Sequence, residues 1–190
     1  MPSELRLGPV SYVVLGIVAL RGPSTPYDLK RFVRLSVGHF WPFPHTQLYS
    51  EPARLAEAGL LDEGREETGR GRRHYSLTEA GRLRLIDWLA QPVTSPTEYR
   101  NLGLLKLFFS ELVERSDVIA LAHAQARAQR RQLAEYEGLL ERFGDRPEYA
   151  RRLLSAELGA RLARAAADFW EEIAEREQGQ LPGGEAQSAA

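Results

Sequence analysis

The apolar and polar positions divide the chain into helical stretches with one short change of period. Residues 10–20 (VSYVVLGIVAL) are solidly apolar and predict a buried helix over residues 11–20. Two prolines and a glycine in residues 21–26 (RGPSTP) force a turn. A second helix is expected from about residue 27 to 35, where Leu29, Phe32, Val33 and Leu35 recur at helical spacing. Residues 38–44 (GHFWPFP) read as a structured aromatic loop. A third helix follows over residues 46–58, with Thr46 as N-cap and Gly59 as the residue just past its end. Pro52 falls inside it and deletes the bond to the Leu48 carbonyl.

The period then changes. Residues 61–66 and 73–77 predict two strands joined by a loop with two glycines. Thr78 caps a fourth helix over residues 79–89. Residues 91–96 (QPVTSP) form a linker. Beyond it the chain reads as helical. Residues 102–113 are a dense apolar helix expected in the core, and Ser116-Asp117 start a long helix to about residue 143. A turn at residues 144–147 precedes a last helix over residues 148–178. The expected fold is mainly α with a small β-hairpin wing, a winged helix-turn-helix followed by an α-helical, coiled-coil-like dimerisation domain. The expected boundaries are 1–92 for the DNA-binding part, 93–178 for the helical dimerisation and effector part, and 179–190 for a disordered tail.

Composition narrows the chemistry. Among 190 residues there is no cysteine, which excludes thiolate catalysis and cysteine-based zinc sites and suits a reducing cytoplasm. The 10–20 segment is shorter than the about 20 apolar residues a membrane helix needs. It also lacks the basic flank and cleavage pattern of a signal peptide, so no membrane partner is expected. Net charge is −1, with 12 Lys/Arg against 10 Asp/Glu in residues 1–92. So weak a tilt makes no case for nucleic acid; local placement must make it. His39, His45, His74 and His123 are scattered, and no phosphate loop, nucleophile elbow or metal-binding histidine pair occurs. No enzyme, metal or cofactor is expected.

The local placement points to double-stranded DNA. A helix-turn-helix sets its second helix in the major groove, which makes His45, Thr46, Gln47 and Tyr49 candidate contacts. Arg70, Arg72 and Arg73 crowd the hairpin, where a wing meets the backbone or the minor groove. Arginines at a hairpin tip are equally what a merely solvated turn presents, and the helix order before them favours DNA. Lys30 and Arg31 add candidate phosphate contacts, with Arg34 beside them.

In the long helix, Ile119, Ala126, Leu133 and Leu140 repeat at one heptad position, and Ala122, Gln129, Tyr136 and Phe143 at the other. The last helix carries Leu154, Leu158, Leu162, Ala165, Phe169 and Ile173 on one face. The two predict an antiparallel hairpin whose pairing with a second copy forms a homodimer. Ile119, Ala122, Ala126, Leu133, Tyr136, Leu140, Leu158, Leu162 and Phe169 are the expected interface. An alternative reading is a helical protein-interaction module whose winged helix contacts protein.

Several segments also resemble a known family. Leu48-Tyr49, Arg54-Leu55, Gly59-Leu60-Leu61, the arginine-rich hairpin and Tyr75-Ser76-Leu77-Thr78-Glu79-Ala80-Gly81-Arg82 occur in the order and spacing of the PadR family of transcriptional regulators. The chain departs from the pattern at Ser50-Glu51-Pro52, where many members have proline directly after the tyrosine and leucine at the position of Pro52. The resemblance implies a homodimeric regulator, commonly a repressor, on a palindromic operator. It also implies a small aromatic effector, for which Trp88 and Trp170 are the candidate surfaces, although aromatics in such places are more often ordinary core.

Overall fold

A computed structural model describes residues 6–41, 43–44, 46–65, 72–95 and 100–179. The chain divides into two compact units, residues 1–96 and 97–190.

The first unit is a winged helix-turn-helix. Its central helix α1 (Pro9–Arg21) packs against four other elements, so it can be apolar all round. Proline at its first position and Gly22 past its end bound it. α2 (Pro26–Arg34) begins one residue earlier than the pattern suggested, because Pro26 takes the first helical position. Thr25 and Asp28 cap it reciprocally: Thr25 Oγ1 accepts from the Asp28 N–H at 3.2 Å, and Asp28 Oδ2 accepts from the Thr25 N–H at 3.0 Å. The Thr25 hydroxyl also donates to Asp28 Oδ2 at 2.6 Å, and this bond, with that from the Thr25 N–H, holds the Asp28 carboxyl below its usual range.

α3 (Gln47–Glu57) runs through Pro52, which is buried with Leu48 and Leu55. Thr46 precedes it, but its hydroxyl caps no backbone N–H. The far end closes as anticipated: Gly59 takes φ +72°, and Leu60 N–H reaches back to the Leu55 carbonyl at 2.9 Å. β1 (Leu61–Arg65) and β2 (Arg73–Leu77) pair antiparallel, Leu61 opposite Leu77 and Arg65 opposite Arg73. Ser24 adds two backbone bonds to Tyr75, at 2.9 and 3.0 Å, which staple the α1–α2 turn to the wing. α4 (Glu79–Ala90) starts at Thr78, whose hydroxyl accepts from the Gly81 N–H. One core joins Val14, Leu15, Ile17 and Val18 of α1 to Leu29, Val33, Leu48, Leu55, Leu61, Tyr75 and Leu85.

The second unit is helical. α6 (Arg115–Phe143) and α7 (Ala150–Glu177) form a long antiparallel hairpin, and a short α5 (Leu102–Phe108) lies against α6. The stripe of α7 that meets α6 is small: Ala156, Ala160, Ala163, Ala167 and Ala174 are buried there, with Trp170 as the one large member. Leu133 and Tyr136 of α6 fill the seam at one end, and Ala122 and Ala126 leave room for the Trp170 indole at the other. Gly159 sits under the Tyr136 ring, where even a Cβ would collide.

Two expectations change. α5 is not a core helix: only Gly103, Leu104 and Leu107 turn inward, while Leu102, Leu105, Phe108, Phe109, Leu112 and Val113 are exposed. α6 starts at Arg115 after Glu114, with no side-chain cap from Ser116 or Asp117. The leucine stripe of α7 faces away from α6, so the hairpin closes on alanines instead. The tail from residue 180 onward lies outside the described residues.

Candidate nucleic-acid interface

Three elements of the first unit converge on one open groove of about 640 Å³. Thr25, Pro26 and Tyr27 come from the start of α2, Tyr49 from the exposed face of α3, and Arg72 and Arg73 from the tip end of the wing, at the start of β2. Each is placed by a local feature already described. The capping box fixes the start of α2, Leu48 and Pro52 turn Tyr49 outward by facing the core, and the Ser24–Tyr75 staple holds β2 beside the α1–α2 turn. Tyr27 is 68% exposed and Tyr49 51% exposed, so two phenol hydroxyls and two guanidiniums share one solvent-facing concavity. Such a set donates hydrogen bonds and positive charge to an anionic backbone.

The structure separates the predicted contacts. Tyr49, Arg72 and Arg73 are brought together. Thr46 and Gln47 are exposed at the start of α3, with Ser50 on the same face one turn on. Lys30 and Arg31 are exposed on α2, on one face with Tyr27 and Arg34 but outside the groove lining. His45 and Arg70 lie outside the described residues. Thr25 and Tyr27 are the groove residues that sequence reasoning missed. Their signal was the Thr-Pro-x-Asp start of α2, which fixes Tyr27 in an exposed first turn.

The two wing arginines differ. Arg73 Nε lies 3.4 Å from a Glu63 carboxylate oxygen, and Tyr75 Oη donates to the same carboxylate at 3.3 Å. Burial and the Glu63 charge raise the Tyr75 hydroxyl above its ordinary value, keeping it a donor. α3 is anchored from behind. Arg54 clasps Glu51 through Nε at 2.9 Å and Nη2 at 2.6 Å, and the same Nη2 donates to Ser11 Oγ of α1 at 3.1 Å. Burial alone would push the Glu51 carboxyl up; the bonds from Arg54 and Ser11 and the Arg54 charge outweigh it and hold it below its usual range. Glu51 is thereby turned toward α1 and away from the groove.

In the second unit, Ala122, Ala126, Leu133 and Tyr136 are buried in the seam with α7 of the same chain, and Leu140 packs beside them. The α6 part of the anticipated partner-facing seam is therefore covered within the chain, and Ile119 is half-buried. Leu158, Leu162 and Phe169 of α7 are exposed, in line with Leu154 and Ala165. The aromatic candidates also separate. Trp170 is 1% exposed among Ala122, Ala126, Ala174 and the edge of Phe169, which leaves no face for a ligand. Trp88 is stacked on Tyr12 at 4.2 Å and remains exposed elsewhere. Among the described residues no His, Asp and Glu cluster could hold a metal, and no helix is long and apolar enough to cross a membrane.

Comparison with known proteins agrees with this geometry. The profile of the transcriptional regulator PadR-like family matches residues 14–87, and that of the virulence activator alpha C-terminal family matches residues 99–176. Residues 14–87 belong to the PadR-like family of transcriptional regulators. That family consists of DNA-binding regulators, not enzymes. The negative transcriptional regulator PadR of Bacillus subtilis is 25% identical over 136 residues, covering 70% of this chain and 74% of that protein. Its crystal structure with operator DNA superposes with a TM-score of 0.78 at 22% identity, over 88% of this chain and 98% of that one. The same protein with p-coumaric acid gives a TM-score of 0.73 at 21% identity, over 91% and 99%. The Vibrio cholerae virulence activator AphA gives 0.68 at 21% identity, over 90% and 99%. These structural likenesses establish the fold.

Proposed function

We propose that this PadR-like regulator is a cytoplasmic homodimeric repressor that occupies a palindromic operator and is released by a small aromatic molecule. The observation that carries the DNA contact is the convergence of Tyr27, Tyr49, Arg72 and Arg73 on one groove. Thr46, Gln47 and Ser50 present the first turns of α3 to base edges in the major groove. The wing arginines lie along the backbone, with Lys30 and Arg31 extending the contact. Residues 1–92 read DNA, and residues 93–178 dimerise and take the effector. The exposed stripe of Leu154, Leu158, Leu162 and Phe169 supports the dimer, since a partner would cover it. Two-fold pairing places two recognition helices at half-sites about 10 bp or a multiple apart. The Bacillus subtilis relative, named a negative regulator and crystallised with p-coumaric acid, supports repression and a phenolic effector. With Trp170 buried, Trp88, in the last turn of α4 beside the linker to residues 93–178, is the remaining candidate indole to stack on it.

A second reading is favoured by the match of residues 99–176 to a virulence-activator family and by the likeness to AphA: the same dimer would activate transcription. In vitro transcription from the chain's own promoter separates the two by sign. For the contact itself, fluorescence anisotropy on a duplex of that promoter is expected to show affinity falling steeply with salt. Arg72→Glu with Arg73→Glu is expected to abolish binding while the circular dichroism stays unchanged. Unaltered affinity in that double variant overturns the wing contact. A wild-type chain that binds no duplex at low salt places the winged helix on a protein partner instead.

A further inference from the structure

The hairpin register carries a charge arrangement that the groove does not account for. Arg65 lies directly opposite Arg73 across β1 and β2. Side chains two apart along a strand share a face. Arg65 and Arg73 therefore lie on the face of Leu61, Glu63, Tyr75 and Leu77. At the base of the hairpin this face is the inner one, because Leu61 and Tyr75 are buried in the core. Toward the tip it opens, and Arg73 there borders the groove beside Tyr49 and Tyr27. Like charges directly opposite each other destabilise an antiparallel pair. Glu63 relieves one of them, pairing with Arg73 while also accepting from Tyr75. Among the described residues Arg65 has no carboxylate partner. Two opposed guanidiniums, of which Arg73 lines the groove, are a poor choice for a free wing, and a good one for a wing that closes on an anion.

We propose that Arg65 is a phosphate-contacting residue of the DNA interface, acting with Arg73 so that a backbone phosphodiester offsets their mutual repulsion. The inference rests on the DNA reading above. It goes beyond that reading by adding a charge from β1, on the opposite strand of the wing from Arg72 and Arg73.

The test compares Arg65→Gln and Arg65→Lys with the wild type, on the promoter duplex and on an unrelated duplex, as a function of salt. Each phosphate contact contributes a slope of about −0.9 to log K against log salt. Arg65→Gln should therefore lower the slope by about 0.9 and cost about fivefold in affinity at about 0.15 M salt, equally on both duplexes. Arg65→Lys should restore the slope. The melting temperature of the free Arg65→Gln protein should not fall, because a repulsion has been removed. An unchanged slope in Arg65→Gln, or an Arg65→Lys variant as weak as Arg65→Gln, overturns the inference. A wild-type chain without salt-dependent duplex binding would instead sink the DNA reading itself, so the two failures are distinct.

Discussion

Ser11 holds the recognition helix to the central helix, and its removal has a size that can be worked from the contacts. Its hydroxyl is 2% exposed and serves three groups. Ser11 Oγ accepts from the Gly8 N–H at 3.0 Å and from Arg54 Nη2 at 3.1 Å, and it helps to hold the Glu51 carboxyl ionised. Ser11→Ala strands the Gly8 N–H at the start of α1, a capping loss of about 1 kcal/mol. It also removes a bond to a charged guanidinium, worth about 1.5–3 kcal/mol when shielded from water. The Arg54 side chain is 38% exposed, so water replaces part of that bond and the lower end applies. The expected loss is about 2–3 kcal/mol, a large share of the about 5–15 kcal/mol that stabilises a domain. Urea unfolding of the full chain, with hydrogen exchange at the amides of α1 and α3, reads it locally. The pH dependence follows from the Glu51 shift. Its folded pKa lies below the unfolded value of 4.5, so its contribution is present above that value and is lost as pH falls through the folded pKa. The gap between wild type and Ser11→Ala should therefore be full at neutral pH and narrow in acid. A loss under about 0.5 kcal/mol, within the range of an ordinary surface substitution, or a gap that does not change with pH, would refute the reasoning.

Two further outcomes are expected in the helical unit. Gly159→Ala places a Cβ against the Tyr136 ring; overpacking of about 1–3 kcal/mol should outweigh the helix-propensity gain of about 1 kcal/mol and lower the melting temperature of the hairpin. Leu158→Glu with Leu162→Glu should convert the proposed dimer to a monomer by light scattering with helix content retained, since both side chains are more than half exposed and leave no cavity. A dimer that survives this double change excludes the stripe as the interface.

What was legible in the sequence was punctuation and period. Thr25-Pro26, Gly59 and Thr78 act through local capping bonds, so the order of helices and strands needs no long-range information. Tyr49 and the wing arginines followed from that order. What stayed hidden depended on which of two faces meets a neighbour. α7 carries both an alanine stripe and a leucine stripe, and hydrophobicity alone favours the leucines. The hairpin closes on the alanines because small residues let two helices approach closely, with Trp170 and Tyr136 filling the ends. Trp170 is core for the same reason, which decides between the two readings its position leaves open. Arg65 was equally hidden, since the facing of a strand residue is known only once the register is.

The two stripes of α7 also bear on how a second copy would lie. The alanine stripe is used within the chain, and the larger apolar side chains, Leu154, Leu158, Leu162 and Phe169, are left outside. A hairpin with its bulkier stripe exposed is half of a core, and in the proposed dimer an identical hairpin would supply the other half through the same patch under two-fold symmetry. Charge chooses the direction. The first half of α7 carries Arg151, Arg152, Arg161 and Arg164 against Glu157, and the second half carries Asp168, Glu171, Glu172, Glu175 and Glu177 against Arg176. Parallel pairing would set basic on basic and acidic on acidic. Antiparallel pairing would set each basic half beside the partner's acidic half, adding to the pairs that Arg164, Asp168, Glu171 and Glu177 already make within the chain. A two-fold axis perpendicular to α7 near Leu162 satisfies both the apolar stripe and the charge gradient, and that symmetry matches the one proposed for the operator.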